Sequence, residues 1–176
     1  MKIKFPKPIY AFIDSQNLNL GVRELGWKLD FRKFRIFLAD KYKVEKAFLF
    51  IGFIEEYAGL YLYLSDYCGY ELIYKPTLEI NRAGERSIKG NVDAELVLHT
   101  MIEKDHFSKA VIVTGDGDFH CLLDYLEKKG KLEQLIVPNQ QKYSRLLQEF
   151  RHRITFVNYL KKKVKDKKFG RRHLSI

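Results

Sequence analysis

The feature that most constrains the fold of this chain is the alternation of short apolar runs with segments of helical periodicity. The apolar runs predict strands at 9–13, 46–53, 70–74, 110–114 and 134–137, with a possible sixth at 154–157. Helices are predicted at 31–42, 56–67, 92–104, 119–129 and 144–150, the first with Asp30 as its N-cap. This order predicts βα units with right-handed crossovers, and therefore a three-layer α/β/α domain around a mostly parallel sheet of five or six strands.

Length and composition indicate one domain. The chain has 176 residues, 46% of them hydrophobic, which is enough for one substantial core and too few to expect two. Cys68 and Cys121 form no CxxC pair or Cys/His ligand spacing, so a disulfide scaffold and a structural zinc site are not expected. The N-terminus lacks the apolar segment of a signal peptide, and no window resembles a membrane span. We therefore expect a soluble cytoplasmic protein that does not bind membranes.

Acidic side chains follow several of the apolar runs. Asp14 comes directly after the first predicted strand, Asp116 and Asp118 follow the fourth, and Asp93 opens the central helix. Because the carboxyl ends of parallel strands converge on one crevice, these four carboxylates are expected to lie together. They would repel one another without a cation between them, so the sequence predicts a divalent-metal site.

The turn after the fourth strand has a composition suited to phosphate or metal binding. Its sequence, Thr114-Gly-Asp-Gly-Asp, brings one hydroxyl, two glycines and two carboxylates to a strand-to-helix junction. Glycines permit close backbone approach, and a helix N-terminus favours anions. At the end of the first strand, Asn17 is placed to present its amide to a phosphate or to a metal-bound water. The alternative for that strand end is structural, with Asp14 or Ser15 capping the following helix.

The positive charge is concentrated at the C-terminus. The net charge is +10, and residues 151–176 hold ten of the 32 Lys and Arg residues but one of the 22 Asp and Glu residues. We therefore expect a globular domain over 1–158 and a basic tail over 159–176. The lysine run at 161–168 and the arginines at 171–172 are suited to bind nucleic-acid phosphates without sequence preference. A solvated tail that only aids solubility fits equally well.

Three motifs in this order resemble those of the NYN family of the PIN-like nuclease superfamily, and the resemblance covers most of residues 8–158. The family's usual pattern is D-x-x-N after the first strand, K-G-x-D or a near variant before the central helix, and [ST]-G-D-x-D-[FY] after the fourth strand. The matching residues here are Asp14 and Asn17, then Lys89, Gly90 and Asp93, then Thr114, Gly115, Asp116, Asp118 and Phe119. The chain has one extra residue, Asn91, in the second motif, and His99 where many relatives carry another acid.

The resemblance implies a metal-dependent ribonuclease on a Rossmann-like, PIN-like fold. Its catalytic carboxylates, which would hold one or two Mg²⁺ or Mn²⁺ ions, would be Asp14, Asp93, Asp116 and Asp118. The substrate would be RNA, single-stranded or structured, and the products would carry a 5′-phosphate and a 3′-hydroxyl. The residues that would contact the substrate or position a metal-bound water are Asn17, Thr114, Lys89, Arg82 and Arg86.

Other interpretations stay open at this point. The basic residues of the polar segment 76–91 fit a solvated loop as well as a phosphate clamp. The segment 57–67, rich in Tyr and Leu, is more typical of a core or a homodimer face than of a base-stacking surface. The chain could also be a catalytically silent RNA-binding or scaffold module of the same fold. A haloacid-dehalogenase-like phosphatase is disfavoured, because it needs a second Asp two residues after its nucleophile, where this chain has Gln16.

Overall fold

The computed structural model describes residues 6–75, 78–82, 85–89 and 93–167, the two short segments as backbone. The strands are β1 (Ile9–Asp14), β2 (Val44–Gly52), β3 (Glu71–Lys75), β4 (Leu78–Arg82), β5 (Glu85–Lys89), β6 (Lys109–Val113), β7 (Leu132–Val137) and β8 (Ile154–Phe156). The α-helices are α1 (Ser15–Glu24), α2 (Phe31–Tyr42), α3 (Ala58–Leu62), α4 (Asp93–Glu103), α5 (His120–Lys128) and α6 (Lys161–Val164). Shorter turns are the 3₁₀ helices Glu55–Tyr57, Gly117–Phe119, Arg145–Arg153 and Val157–Leu160 and the π-helical turn Tyr63–Tyr67. None of the described helices combines the length and the apolar character needed to cross a bilayer.

Six of the strands form one all-parallel sheet in the order β3-β2-β1-β6-β7-β8. At its centre lie β1 and β6, where Phe12 and Ile112 are fully buried. Central strands of such a sheet are continuous apolar runs because helices cover both faces. The chain moves from β1 outward to β2 and β3, then returns to β6 on the other side of β1. The strand order therefore reverses between β1 and β6, where a crevice is expected.

Helices cover both faces of the sheet, which confirms the predicted three-layer fold. On one face α1, α2 and α6 form a core that includes Trp27 and Phe34. On the other face α4, α5 and the 3₁₀ helix Arg145–Arg153 form a second core that includes Phe107. Successive strand residues alternate between the cores, so Ile13 belongs to the first and Phe12 to the second. By the same alternation Asp14 follows Phe12 on the α4 side.

Aspartate caps begin the first two helices. The carboxylate of Asp14 accepts the backbone N–H of Asn17 at 3.0 Å, and that of Asp30 accepts the N–H of Lys33 at 3.0 Å. Such caps satisfy backbone donors that have no partner within the first helical turn. The Asp30 cap predicted for α2 is confirmed, and α1 starts directly at the end of β1.

Several segments differ from the predictions. The predicted loop 76–91 contains, in its described part, an antiparallel hairpin in which Leu78 pairs with Lys89 and Arg82 with Glu85. The two strands have the sequences LEINR and ERSIK, with two apolar residues and one, so no apolar run marks either of them as a strand. The predicted helix 56–67 is a 3₁₀ turn followed by a short α-helix and a π-helical turn, because its hydrogen-bond spacing lengthens along the segment.

Residues 159–167, predicted as the start of the tail, pack against the domain. Leu160 and Val164 are buried in the first core. The N–H of Asp30 donates to the carbonyl of Val164 at 2.8 Å, and the N–H of Asp166 donates to that of Lys28 at 2.9 Å. The packed domain therefore continues to residue 167, and residues 168–176 of the predicted tail lie outside the described residues.

Candidate active site

The end of β1 carries Asp14 and leads directly into α1. Asp14 is 5% exposed, and its carboxylate is the acceptor for the N–H of Asn17. Asn17 in turn accepts the N–H of Gly115 through Oδ1 at 2.8 Å. Because this bond joins the loop after β1 to the loop after β6, it fixes the ends of the two central strands relative to each other.

The end of β6 places two carboxylates in a tight turn. Thr114 is fully buried, and its Oγ1 accepts the N–H of Asp116 at 3.1 Å. The carboxylate of Asp116 then accepts the N–H of Asp118 at 3.1 Å. In both cases the side chain bonds the backbone two residues ahead, as Thr and Asp do in local turns. The turn holds Asp116 half-buried and leaves Asp118 exposed.

Gly117 lets this turn contact the segment that precedes the 3₁₀ helix Arg145–Arg153. A Cβ added at Gly117 would lie 2.3 Å from Oγ of Ser144 and 2.9 Å from its Cβ, closer than real atoms approach. The N–H of Ser144 also donates to the carbonyl of Gly115 at 3.0 Å. Ser144 therefore supports the turn, and the glycine is required by the close approach of the two segments.

Three of the predicted carboxylates meet in one cluster, which we call the acidic cluster. Asp93 at the start of α4, Asp116 and Asp118 each offer a carboxylate oxygen, and these atoms lie within 4.8 Å of one another. Carboxylate oxygens are the ligands that hard divalent cations such as Mg²⁺ prefer. The acidic cluster therefore fits the Mg²⁺ or Mn²⁺ that the sequence implies.

Asp14 lies beside the acidic cluster and is more deeply buried. Burial raises the pKa of its carboxyl group from 3.8 to about 6, the N–H of Asn17 opposes this rise, and the charges of Asp93 and Asp116 add to it. Those charges act on Asp14 because folding brings the three residues into one neighbourhood. A bound cation would offset the repulsion between these closely spaced negative charges.

A cleft of about 460 Å³ opens from these carboxylates between α1 and the chain that follows β7. Asp14, Asp93 and Asp116 line one end of the cleft. Its position coincides with the reversal of strand order between β1 and β6, where open α/β sheets bind ligands. The sequence therefore predicted this end of the cleft from its strand order and its carboxylates.

The far end of the cleft was not predicted. It is lined by Glu24, Asn139 and Lys142. One signal for it is present in the sequence, since Gln16, Leu20 and Glu24 are four residues apart and so share one face of α1. A second signal is that Asn139 comes two residues after the apolar strand β7, at the same edge of the sheet as Asp116.

The predicted substrate contacts fall into two groups. Asn17 and Thr114 lie at the site, where their side-chain oxygens accept backbone N–H groups of the turn, and Asn17 also lines the cleft. The side chains of Arg82, Arg86 and Lys89 lie outside the described residues. Asn17 and Thr114 thus shape the site, and a phosphate contact by any of the five residues stays a prediction.

His99 is half-buried and packs against the second core. Its ring contacts those of Phe48 and Phe50 edge-on, with centroids 4.7 and 5.7 Å apart. Burial lowers the pKa of the imidazole, which favours its neutral form. His99 follows Asp93 by six residues, about 9 Å along α4. The histidine therefore packs α4 against β2, and its presence leaves the three carboxylates of the acidic cluster in place.

Comparisons with known proteins agree with this architecture. A family model described as the NYN domain matches residues 8–160. Among solved structures, the chain is similar to the crystal structure of a protein of unknown function from Vibrio parahaemolyticus, with a TM-score of 0.68. The two share 21% sequence identity, and the match covers 89% of this chain and 96% of that one, a likeness that concerns the fold. A search of curated protein sequences finds no match.

Proposed function

Because the chain belongs to the NYN domain family, we propose that it is a metal-dependent ribonuclease that hydrolyses phosphodiester bonds at the acidic cluster. The family lies within the PIN-like nuclease superfamily, and the central parallel sheet agrees with that fold. The observation that carries the proposal is the convergence of Asp93, Asp116 and Asp118, whose oxygens lie within 4.8 Å of one another.

The acidic cluster would hold Mg²⁺ or Mn²⁺, with Asp14 as the neighbouring fourth carboxylate. When bound, such an ion supplies Lewis acidity to the phosphate and lowers the pKa of water. The protein's own contribution is to keep like charges close together. The N–H groups of Asn17 and Asp118 donate to Asp14 and Asp116 and so hold those carboxylates in place.

Asp14 is suited to orient the attacking water and to accept its proton. In the metal-free protein the pKa of its carboxyl group is about 6, and burial, the largest cause, makes this carboxylate more basic than that of an exposed aspartate. The hydrogen bond from Asn17 restricts its orientation. This arrangement supports a general base within the group of four carboxylates already described.

We propose RNA as the substrate. The net charge of +10 favours binding to a polyanion. Arg82, Arg86, Lys89 and the basic residues of the predicted tail are proposed to bind its backbone phosphates. Attack by water is expected to leave a 5′-phosphate and a 3′-hydroxyl, as in the PIN-like superfamily. Phosphate contacts carry no base information, so these basic residues would not select a sequence.

The proposal is tested by incubating the purified protein with labelled RNA in Mg²⁺, Mn²⁺ or EDTA. Cleavage is expected with either ion and should stop in EDTA. Asp116→Asn should reduce the rate by at least about a hundredfold, because it removes a charge from the acidic cluster while retaining an oxygen that can cap the turn. Asp40→Asn, which changes an exposed aspartate of α2, is the matched control and should cleave like the parent.

Three results would contradict the proposal in different ways. Cleavage that persists in EDTA would contradict the proposed metal dependence. RNA that is retained on a filter but stays full length in Mn²⁺ would favour the catalytically silent RNA-binding module. Hydrolysis of a generic phosphate ester without RNA cleavage would favour a phosphatase.

A further inference from the structure

The cleft extends beyond the acidic cluster for about the length of α1. Glu24 lies nine residues after Ser15, about 14 Å along the helix axis, and helical side chains lean back towards the N-terminus. Carboxylates of the acidic cluster line one end of the cleft and Glu24 lines the other. A phosphate held at the acidic cluster therefore leaves room for its own nucleoside to lie along α1.

Apolar side chains form the middle of the cleft. Leu20 and Pro138 both line it, and Leu20 is 50% exposed. Gly21 lies so close to Pro138 that an added Cβ would be 2.7 Å from the proline Cβ, which shows that α1 is packed tightly against this residue. A nucleobase is a flat ring with apolar faces, and the exposed side chain of Leu20 offers a surface of matching character, whereas Pro138 is buried beneath α1.

Glu24 presents hydrogen-bond acceptors at the far end. Its Oε1 lies 3.2 Å from Nζ of Lys142, and its Oε2 accepts from Nδ2 of Asn139 at 3.5 Å. Asn139 is 4% exposed, and its Oδ1 accepts the N–H of Gln141 at 2.9 Å, which fixes the orientation of the amide. Each oxygen of Glu24 has a further lone pair, so the carboxylate is held by two donors and can accept two more hydrogen bonds.

Two adjacent acceptors select a base that has two adjacent donors. On the Watson–Crick edge of guanine, N1–H and the exocyclic amine lie side by side. Adenine and cytosine each have one donor group on that edge, the exocyclic amine, and uracil has one, N3–H, so none of them can donate two parallel hydrogen bonds to a carboxylate. Unpaired RNA bases are commonly recognised through this edge.

We propose that this part of the cleft is a guanine-selective nucleoside subsite, with the base against Leu20 and its Watson–Crick edge on Glu24. The assignment of the bound nucleoside to an RNA strand rests on the proposed function, since it places the phosphate of the same nucleotide at the acidic cluster. Cleavage is then expected next to guanosine residues of unpaired RNA.

The test uses the full chain in EDTA and measures the binding of guanosine, adenosine, cytidine and uridine by NMR titration. Nucleosides carry no phosphate, so the metal-free carboxylates do not repel them. Guanosine should bind at least about tenfold more tightly than the other three, as expected for one bidentate contact. The largest chemical-shift changes should include those of Leu20 and Asn139.

Two variants with matched controls assign the contacts. Glu24→Gln should abolish the preference for guanosine, because an amide has one acceptor oxygen. Leu20→Ala should weaken the binding of all four nucleosides about threefold. Glu133→Gln changes another glutamate paired with a lysine, at 2.9 Å from Lys109, and Leu98→Ala changes an exposed leucine of α4. Neither control should alter binding.

Absence of nucleoside binding, equal affinity for all four nucleosides, or an unchanged preference in Glu24→Gln would overturn the inference. Binding in EDTA is measured independently of cleavage, so the two proposals can fail separately. Metal-dependent RNA cleavage without guanosine preference would support the proposed ribonuclease activity and contradict the proposed subsite. Guanosine-selective binding without RNA cleavage would support the proposed subsite and contradict the proposed ribonuclease activity.

Discussion

The carboxyl ends of β1 and β6 differ from those of β2 and β3, although all four strands end along one edge of the same sheet. The first pair ends in carboxylates that line a cleft, with Asp14 as the last residue of β1 and Asp116 in the turn after β6. The second pair ends in an aromatic group formed by Phe53 and Tyr74, with Lys75 as the last residue of β3. Strand geometry alone therefore does not determine which end becomes a site.

The chain after β2 folds back over its own strand end. Tyr61 donates its hydroxyl to the carbonyl of Gly52 at 3.0 Å and accepts the N–H of Ile54 at 2.8 Å. Its ring stacks on Phe53 at 5.8 Å, and Tyr74 packs edge-on against both rings at 5.6 and 5.3 Å. The connection from β2 to β3 thus covers that end, whereas the cleft lies where the strand order reverses.

The variant expected to have the largest effect at the ends of β1 and β6 is Asp14→Asn. Asparagine can still cap α1, so the change mainly removes a buried charge. In metal-free buffer at pH 7 the free energy of unfolding should rise by about 3 kcal/mol, because burial and two nearby carboxylates hold the pKa of Asp14 at about 6 against 3.8. RNA cleavage should fall by about a hundredfold or more. Urea unfolding and the cleavage assay measure the two effects.

The pH dependence provides the control for that variant. A carboxyl group whose pKa is higher in the folded state binds more protons when folded, so its contribution to stability falls as pH rises from about 4 to about 6. Relative to that of Asp14→Asn, the free energy of unfolding of the parent should fall across this window. Above the window the difference between the two should stay constant. A constant difference at every pH would mean that asparagine acts through packing instead of charge.

Gly117→Ala should disrupt the turn after β6 through a steric clash alone, without a change in charge. The added methyl group would lie 2.3 Å from Oγ of Ser144, so the turn or the Ser144 segment must move. Stability should fall by about 1–3 kcal/mol, and cleavage by about a hundredfold as the carboxylates shift by about 1 Å. Gly59→Ala, where a Cβ meets nothing within 4 Å, is the control and should cleave like the parent. Normal cleavage by Gly117→Ala would show that the turn adapts without displacing its carboxylates.

The central sheet and the strand-end carboxylates were predictable from the sequence for one physical reason. Strands buried on both faces, such as Ile9–Asp14, must be nearly continuous apolar runs, and the first polar residue after each lies at the edge of the sheet. This rule alone predicts Asp14, whereas after β6 the first polar residue is Thr114, and Asp116 follows two residues later in the same turn. The family motif strengthened the inclusion of Asp93, because helical periodicity alone does not say which strand end the first turn of a helix meets.

The remaining features depend on contacts between residues distant in sequence. Residues 159–167 have the composition of a charged tail, and their packing is shown by the burial of Leu160 and Val164 and by backbone hydrogen bonds to Lys28 and Asp30. The far end of the cleft requires Glu24 and Asn139 to meet, although 115 positions separate them. Periodicity reports which face of an element is buried and carries no information about such pairs.

A smaller effect is expected from Lys75→Met at the end of β3. Lys75 is 5% exposed, and its ammonium group has no hydrogen-bond partner among the residues that the structure describes. Burial lowers the pKa of this lysine, and the charges of Glu95, Asp93 and Asp14 only partly oppose that effect. Methionine has similar volume and no charge, so the free energy of unfolding at pH 7 should rise by about 1 kcal/mol.

Chemical denaturation at several pH values measures this difference. The advantage of Lys75→Met should shrink as the pH approaches 10.5, where the ordinary lysine side chain also loses its proton in the unfolded chain. A loss of stability at pH 7 would show that Lys75 balances the nearby carboxylates by more than its burial costs. The end of β3 would then belong electrostatically to the acidic site, and the contrast between the two pairs of strand ends would weaken.

The smallest effect is expected from Phe53→Leu in the aromatic group. Phe53 is 48% exposed, and leucine retains an apolar side chain while losing ring contacts worth about 0.5–1 kcal/mol. RNA affinity, measured by fluorescence anisotropy, should stay within about twofold of the parent, as for most surface substitutions. Tyr57→Leu, at an aromatic residue that is 52% exposed, is the matched control. A several-fold loss of affinity in Phe53→Leu alone would mean that unpaired bases stack on this group, so both pairs of strand ends would form one RNA-binding edge.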